Sequence, residues 1–145
     1  MKKIWQDAYF RAALLAAPLF WVILFAVAPS PIHWTWPLSY PLKFLLLGLA
    51  YPVLEETVFR GLLQGTFYTH GFDRYLLPGI STANLVSSIL FAFSHFLYHN
   101  WQWSLAVFAP SLIFGYFLDS YKSIKPSIVL HAFFNSGYYW LFRPF

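Results

Sequence analysis

The chain has 145 residues, of which 59% are hydrophobic and 10% charged, and its net charge is +4. Soluble domains average about 25% charged residues, so this chain lacks the polar residues to clothe a water-facing globule. Seven Trp, ten Tyr and seventeen Phe exclude disorder and fibrous repeats. The nine basic residues are scattered along the chain and most flank apolar runs, which speaks against nucleic acid and fits membrane orientation signals. Zero cysteines exclude disulfides, a thiolate nucleophile and Cys-based metal sites. The expected class is all-α: a polytopic integral membrane helical bundle, one domain over residues 1–145, with the lipid bilayer as its partner.

Five transmembrane helices are expected. Residues 12–28 are uncharged and follow Lys2, Lys3 and Arg11. Their length approaches a ~30 Å hydrocarbon core once Arg11 snorkels. Ala26 and Ala28 resemble a signal-cleavage pattern, but Pro29 would follow the cut, so this helix is read as retained. Residues 29–41 hold four prolines and read as a loop with interfacial aromatics. Helix 2 is expected over 42–64 and a turn region over 65–79. Arg74 and Asp119 bracket 44 residues without Asp, Glu, Lys or Arg, which hold helix 3 (82–98) and helix 4 (103–118). A polar loop, 119–125, precedes helix 5 (126–142), with Pro126 in its first turn. Lys2, Lys3, Arg11, Arg74, Lys122 and Lys125 fall on one side, and Lys43 and Arg143 on the other. The positive-inside rule then puts the amino terminus in the cytoplasm and makes the chain a multi-pass protein of the cell membrane.

An ionisable residue in a membrane span is by default a functional one, because it costs at least ~2.5–3.5 kcal/mol on insertion scales. Helix 2 carries three: Glu55, Glu56 and Arg60. Glu56 and Arg60 are i, i+4 and can pair. Glu55 lies ~100° round the helix, off that row, and is the candidate general base. Helix 3 presents Ser81, Asn84, Ser88 and His95, and helix 5 presents Ser127, His131, Asn135 and Tyr138. Lipid does not tolerate three such stripes, so the expectation turns them inward around one pocket. By helical rise Glu55 and His131 reach similar depths, ~12 and ~9 Å from the inner face. His95 sits higher, unless residues 71–81 dip into the protein. Asp7, Asp73 and Asp119 lie at segment ends, which disfavours a paired-aspartate protease, and His-Glu-x-x-His is absent. Ser94 and His95 point ~100° apart, a poor dyad. His33, His70 and His99 fall in loops, and Ser111 with Gly115 makes a small-x-x-x-small step suited to close helix packing.

Glu55-Glu56-Thr57-Val58-Phe59-Arg60, Phe91-Ala92-Phe93-Ser94-His95 and His131-Ala132-Phe133-Phe134-Asn135 resemble the E-E-x-x-x-R, F-x-x-x-H and H-x-x-x-N motifs of one family. It is the CAAX-protease and bacteriocin-processing membrane endopeptidases, also called the Abi family, which include the type II CAAX prenyl endopeptidases. All three motifs occur in order, each on an expected membrane helix, within residues 42–140. Residues 42–145 would then form a protease-like core behind an N-terminal helix and loop, 1–41. The resemblance implies intramembrane peptide hydrolysis by a glutamate-activated water, with Glu55 as the catalytic glutamate and His95 assisting. His131 and Asn135 would bind the oxyanion, and Glu56 with Arg60 would set the electrostatics of the site or pin helix 2. The implied substrate is a peptide or a membrane-anchored protein: a C-terminal sorting tag, a leader or a CAAX-like tail. No cofactor is implied, although Glu55, His95 and His131 would also make a zinc set. A non-catalytic bacteriocin-immunity protein, or a peptide-binding or transport protein, is the alternative from another class, and Pro52 near Glu55 keeps it open.

Overall fold

The computed structural model describes residues 4–27, 29 and 32–142. Lys2, Lys3 and Arg143, three of the residues counted for orientation, lie outside the described residues, as does Ala28 at the expected end of helix 1. The chain is mostly helical with one small sheet, and it divides into two compact units: Met1–Leu54 with Val129–Phe145, and Glu55–Ile128.

In the first unit, α1 (Ala8–Val27) is 20 residues long with a mean hydropathy of 2.1, enough to cross a ~30 Å hydrocarbon core. Leu15, Leu19, Val22 and Val27 are exposed along it, an apolar surface that fits lipid. A short α2 (Trp36–Ser39) and α3 (Pro41–Leu45) each begin with proline in the first turn, where its missing N–H costs nothing. A π-helical segment, Leu46–Ala50, follows, and then α4 (Tyr51–Glu56). The wide turn has a cause. Pro52 has no N–H to offer the carbonyls one turn back, and Tyr51 N–H is drawn to Leu46 O. The carbonyls of Leu47 and Gly48 are instead met from α9 (Lys125–Leu141), by Asn135 Nδ2 at 3.3 Å and Ser136 Oγ at 3.2 Å. Aromatic packing completes this unit: Trp21 Nε1 donates to Phe134 O at 3.1 Å, Trp36 Nε1 to Tyr139 O, and Phe25 stacks on Phe142.

In the second unit the winding opens again into a π-helix, Thr57–Gln64, and closes as α5 (Gly65–Thr69). The expected turn region holds this extra helical turn and a hairpin, β1 (Tyr75–Leu77) paired antiparallel with β2 (Ile80–Ser81). This hairpin departs from the all-α expectation. Its turn needs Gly79: φ is +80°, and a Cβ there would meet the Tyr116 ring at 2.1 Å. Ser81 caps α6 (Thr82–His95), its hydroxyl accepting from Asn84 N–H at 3.0 Å.

Helix 3 ends three residues before the expected Tyr98. The chain turns at Phe96, and Asn100 restarts it by capping α7 (Trp101–Ala106). The expected helix 4 is in two pieces, α7 and α8 (Phe108–Tyr121), because Pro110 cannot donate to Ala106 O. Residues Trp101–Tyr121 form the second stretch long and apolar enough to span a membrane, at a mean hydropathy of 1.2. Asp119 therefore lies in the last turn of a helix rather than in a loop.

Candidate active site

The first motif sits where α4 gives way to the π-helix. Glu56, Arg60 and Gln64 fall on one row, and all three are fully buried. Arg60 Nε lies 3.3 Å from Glu56 Oε2, so the pairing expected from the i, i+4 spacing is formed. The rest of the guanidinium is spent on neighbouring helices. Nη2 donates to the hydroxyl and carbonyl of Ser111 at 2.6 and 2.9 Å, and Nη1 to Ser87 Oγ at 3.3 Å. Ser87 Oγ in turn donates to Phe59 O at 2.6 Å. A buried charge is tolerable only when paired and hydrogen-bonded, and three helices supply the partners here. Glu55 is half-buried beside this row.

The second motif meets the first through its phenylalanine. The Phe91 ring lies 5.3 Å from Arg60 Cζ, within cation–π range, and 4.6 Å from the His95 ring. Phe91 therefore spaces the ion pair from the histidine. His95 Nδ1 lies 2.9 Å from Phe91 O. A carbonyl only accepts, so Nδ1 carries the proton in the neutral ring and Nε2 is its basic nitrogen. Ser94 Oγ donates to Phe91 O at 2.8 Å, so that hydroxyl is turned back along its own helix, as a poor dyad partner should be.

Helix 3 carries its polar stripe inward, as expected. Asn84 Nδ2 donates to Leu112 O at 3.0 Å, and Ser88 Oγ to Asn84 Oδ1 at 3.1 Å. The Ser111–Gly115 step also does what its spacing suggests: a Cβ on Gly115 would stand 1.9 Å from Asn84 Oδ1. Ser127 Oγ donates to Phe114 O at 2.7 Å.

The third motif lies on the part of α9 that belongs to the first unit. His131 is buried, and Asn135, one turn on, is half-buried with one amide N–H committed to Leu47 O. An amide nitrogen carries two N–H groups, so a second donor remains for other work. Among the described residues, no group of three or more His, Cys, Asp or Glu is close enough to hold a metal ion.

Sequence reasoning missed Gln64 and Asp119. Gln64 Nε2 donates to Gly115 O and to Asp119 Oδ1, both at 3.0 Å. Asp119 Oδ2 accepts from the hydroxyl and amide of Ser81 at 2.7 and 3.3 Å. Gln64 had a legible signal, since it continues the Glu56–Arg60 row by four; Asp119 had none beyond its charge.

No curated protein and no solved structure matches the chain. The family described as type II CAAX prenyl endopeptidase Rce1-like matches it over residues 19–137. That span contains the buried ion pair, the histidine beside Phe91 and the whole third motif, and it favours a protease over an immunity or transport protein. The chain belongs to the Rce1-like type II CAAX prenyl endopeptidase family, a family of membrane-embedded proteases.

Proposed function

We propose that this chain is a multi-pass endopeptidase of the cell membrane, with five transmembrane helices and its amino terminus in the cytoplasm. On this reading it is a glutamic-type enzyme that cleaves a peptide bond in a membrane-associated substrate: a CAAX-like tail, a C-terminal sorting tag or a leader. The observation that carries the reading is Phe91, whose one ring touches both Arg60 of the first motif and His95 of the second.

The chemistry balances with the chain's own groups. Glu55 takes a proton from water while Nε2 of His95 orients that water. The hydroxide attacks the scissile carbonyl carbon, and the C=O electron pair moves to oxygen. His131 and the second N–H of Asn135 donate to this oxyanion. Collapse breaks the C–N bond, and Glu55 returns its proton to the leaving amine. The Glu56–Arg60 pair fixes the winding that presents Glu55 and keeps the local charge near neutral.

The test is a peptide-cleavage assay on detergent-purified protein, with a mixed peptide library read by mass spectrometry. Wild type, Glu55→Gln and chelator-treated wild type run side by side. Products from both wild-type samples and none from the variant support the mechanism. Full cleavage by folded Glu55→Gln protein sinks it. Loss on chelation with recovery on zinc would overturn the metal-free mechanism.

A further inference from the structure

The mechanism above leaves one buried carboxylate unused. Asp119 is 6% exposed, and its partners are neutral donors from two separate parts of the second unit. Oδ1 takes Gln64 Nε2, from the π-helix that follows Glu55 and Glu56; Oδ2 takes Ser81, the cap of the helix that ends at His95. Asp119 therefore stands on a third helix and grips the two that carry the water-activating pair.

The hydrogen-bond directions are strict. Gln64 Nε2 faces two acceptors, Gly115 O and Asp119 Oδ1, so its amide has one satisfying orientation. That orientation leaves Gln64 Oε1 buried without a hydrogen-bonding partner among the described residues, a cost an apolar core would avoid. Well-packed apolar residues often equal or exceed a buried polar cluster in stability, whereas polar clusters fix register. Gly115 leaves no slack, because its Cβ position is already filled by Asn84 and Gln64.

We propose that Asp119 is a positioning residue of the protease: by holding Gln64 and Ser81 at once, its carboxylate sets the helix of Glu55 against the helix of His95. The proposal rests on the assignment of those two residues as the water-activating pair. Misplacing a catalytic group by about 1 Å costs about 100-fold in rate, so the anchor's effect falls on kcat. Substrate contacts and the groups that titrate stay the same, so KM and the midpoints of the pH profile stay put.

The absence of cysteine permits a direct test on the full chain. Leu62→Cys and Phe93→Cys, both well exposed, take spin labels on the two helices, and pulsed electron resonance reads the distance between them. Asp119→Asn should broaden or shift that distribution and lower kcat about 100-fold, with KM and pH midpoints unchanged. Ser81→Thr, which keeps the hydroxyl, should retain the wild-type distribution, and Ser81→Ala should broaden it less than Asp119→Asn does. Ser81→Ala also serves as the informative variant if Asp119→Asn does not fold. An unchanged distance distribution overturns the proposal, and so does a broadened one with kcat intact. If the wild type cleaves no peptide, the assignment of the site falls, while the distances still decide whether Asp119 sets the two helices.

Discussion

Each of the two units of this chain has its own internal packing, and the chemistry inside them differs. The second, Glu55–Ile128, buries Glu56, Arg60, Gln64, Asn84, Asp119 and a series of serines, nearly all tied by side-chain hydrogen bonds. The first, Met1–Leu54 with Val129–Phe145, buries Phe10, Trp36, Leu130, Phe134 and Phe142 and combines ring contacts with side-chain hydrogen bonds to backbone carbonyls from Trp21, Trp36, Asn135 and Ser136. In lipid, apolar packing gains no hydrophobic drive between helices, so shape and polar ties must do the specifying. Both units use ring contacts, but the second adds a buried, hydrogen-bonded row of charged and polar side chains. The unit that carries Glu55 and His95 is the one richer in buried directional bonds.

The sharpest way to break this comparison is through activity. Glu55→Gln and His95→Ala should each lower cleavage by at least about 100-fold, while melting in detergent stays at the wild-type temperature. A parallel loss of melting temperature would make those side chains part of the scaffold. Next comes the ion pair. Glu56→Gln leaves Arg60 buried and uncompensated and should cost about 3–5 kcal/mol, read as a lowered thermal midpoint together with a lowered rate. Replacing both as Glu56→Gln with Arg60→Met should recover part of the midpoint and none of the rate.

Smaller effects separate the two packing styles. Gly115→Ala drives a methyl into Asn84 Oδ1, and Gly137→Ala drives one into the Trp21 ring, with Cβ positions 1.9 and 2.0 Å from those atoms. Overpacking costs about 1–3 kcal/mol, and each should lower the thermal midpoint. Asn84→Ala should rescue Gly115→Ala, and Trp21→Phe should rescue Gly137→Ala; rescue of either by the other unit's variant would show that the two clashes are not local. Gly61→Ala, whose nearest neighbour is 3.8 Å away, is the control.

The smallest effect is a titration. Burial, and then the charge of His95, lower the pKa of His99 from its ordinary 6.5. Protonation thus favours the unfolded chain. The contribution is intact above about pH 6.5 and is lost as pH falls through the lower folded value. His99→Gln should flatten the dependence of the thermal midpoint on pH in that window, by a small amount because the ring is only partly buried.

Much of the candidate site was legible because charge in a lipid span stands out. Glu55, Glu56, Arg60 and His95 sit on greasy helices, and their spacing alone anticipated the ion pair that is formed. The polar stripe of Ser81, Asn84 and Ser88 was legible for the same reason. Asp119 was not, because a carboxylate at the end of an apolar run reads equally as loop, and its partners come from 38 and 55 residues away. The π-helices were invisible too, since their winding follows from tertiary contacts such as those of Asn135 and Ser136 with the carbonyls near Pro52. The hairpin is too short to show a strand period.

The wide winding at Thr57–Gln64 has a consequence for how this segment tolerates change in length. A π turn bonds i to i+5 and so holds one residue more than the α turn it replaces. Deleting a single residue there would let the segment relax into ordinary α-helix with its backbone bonds intact. Because the π turn spends that extra residue on about the same rotation, the side chains beyond the deletion would keep nearly the same face, whereas a deletion in an ordinary α-helix turns them about 100° around the axis. The segment thus acts as a buffer of chain length, able to lose one residue without turning the faces beyond it.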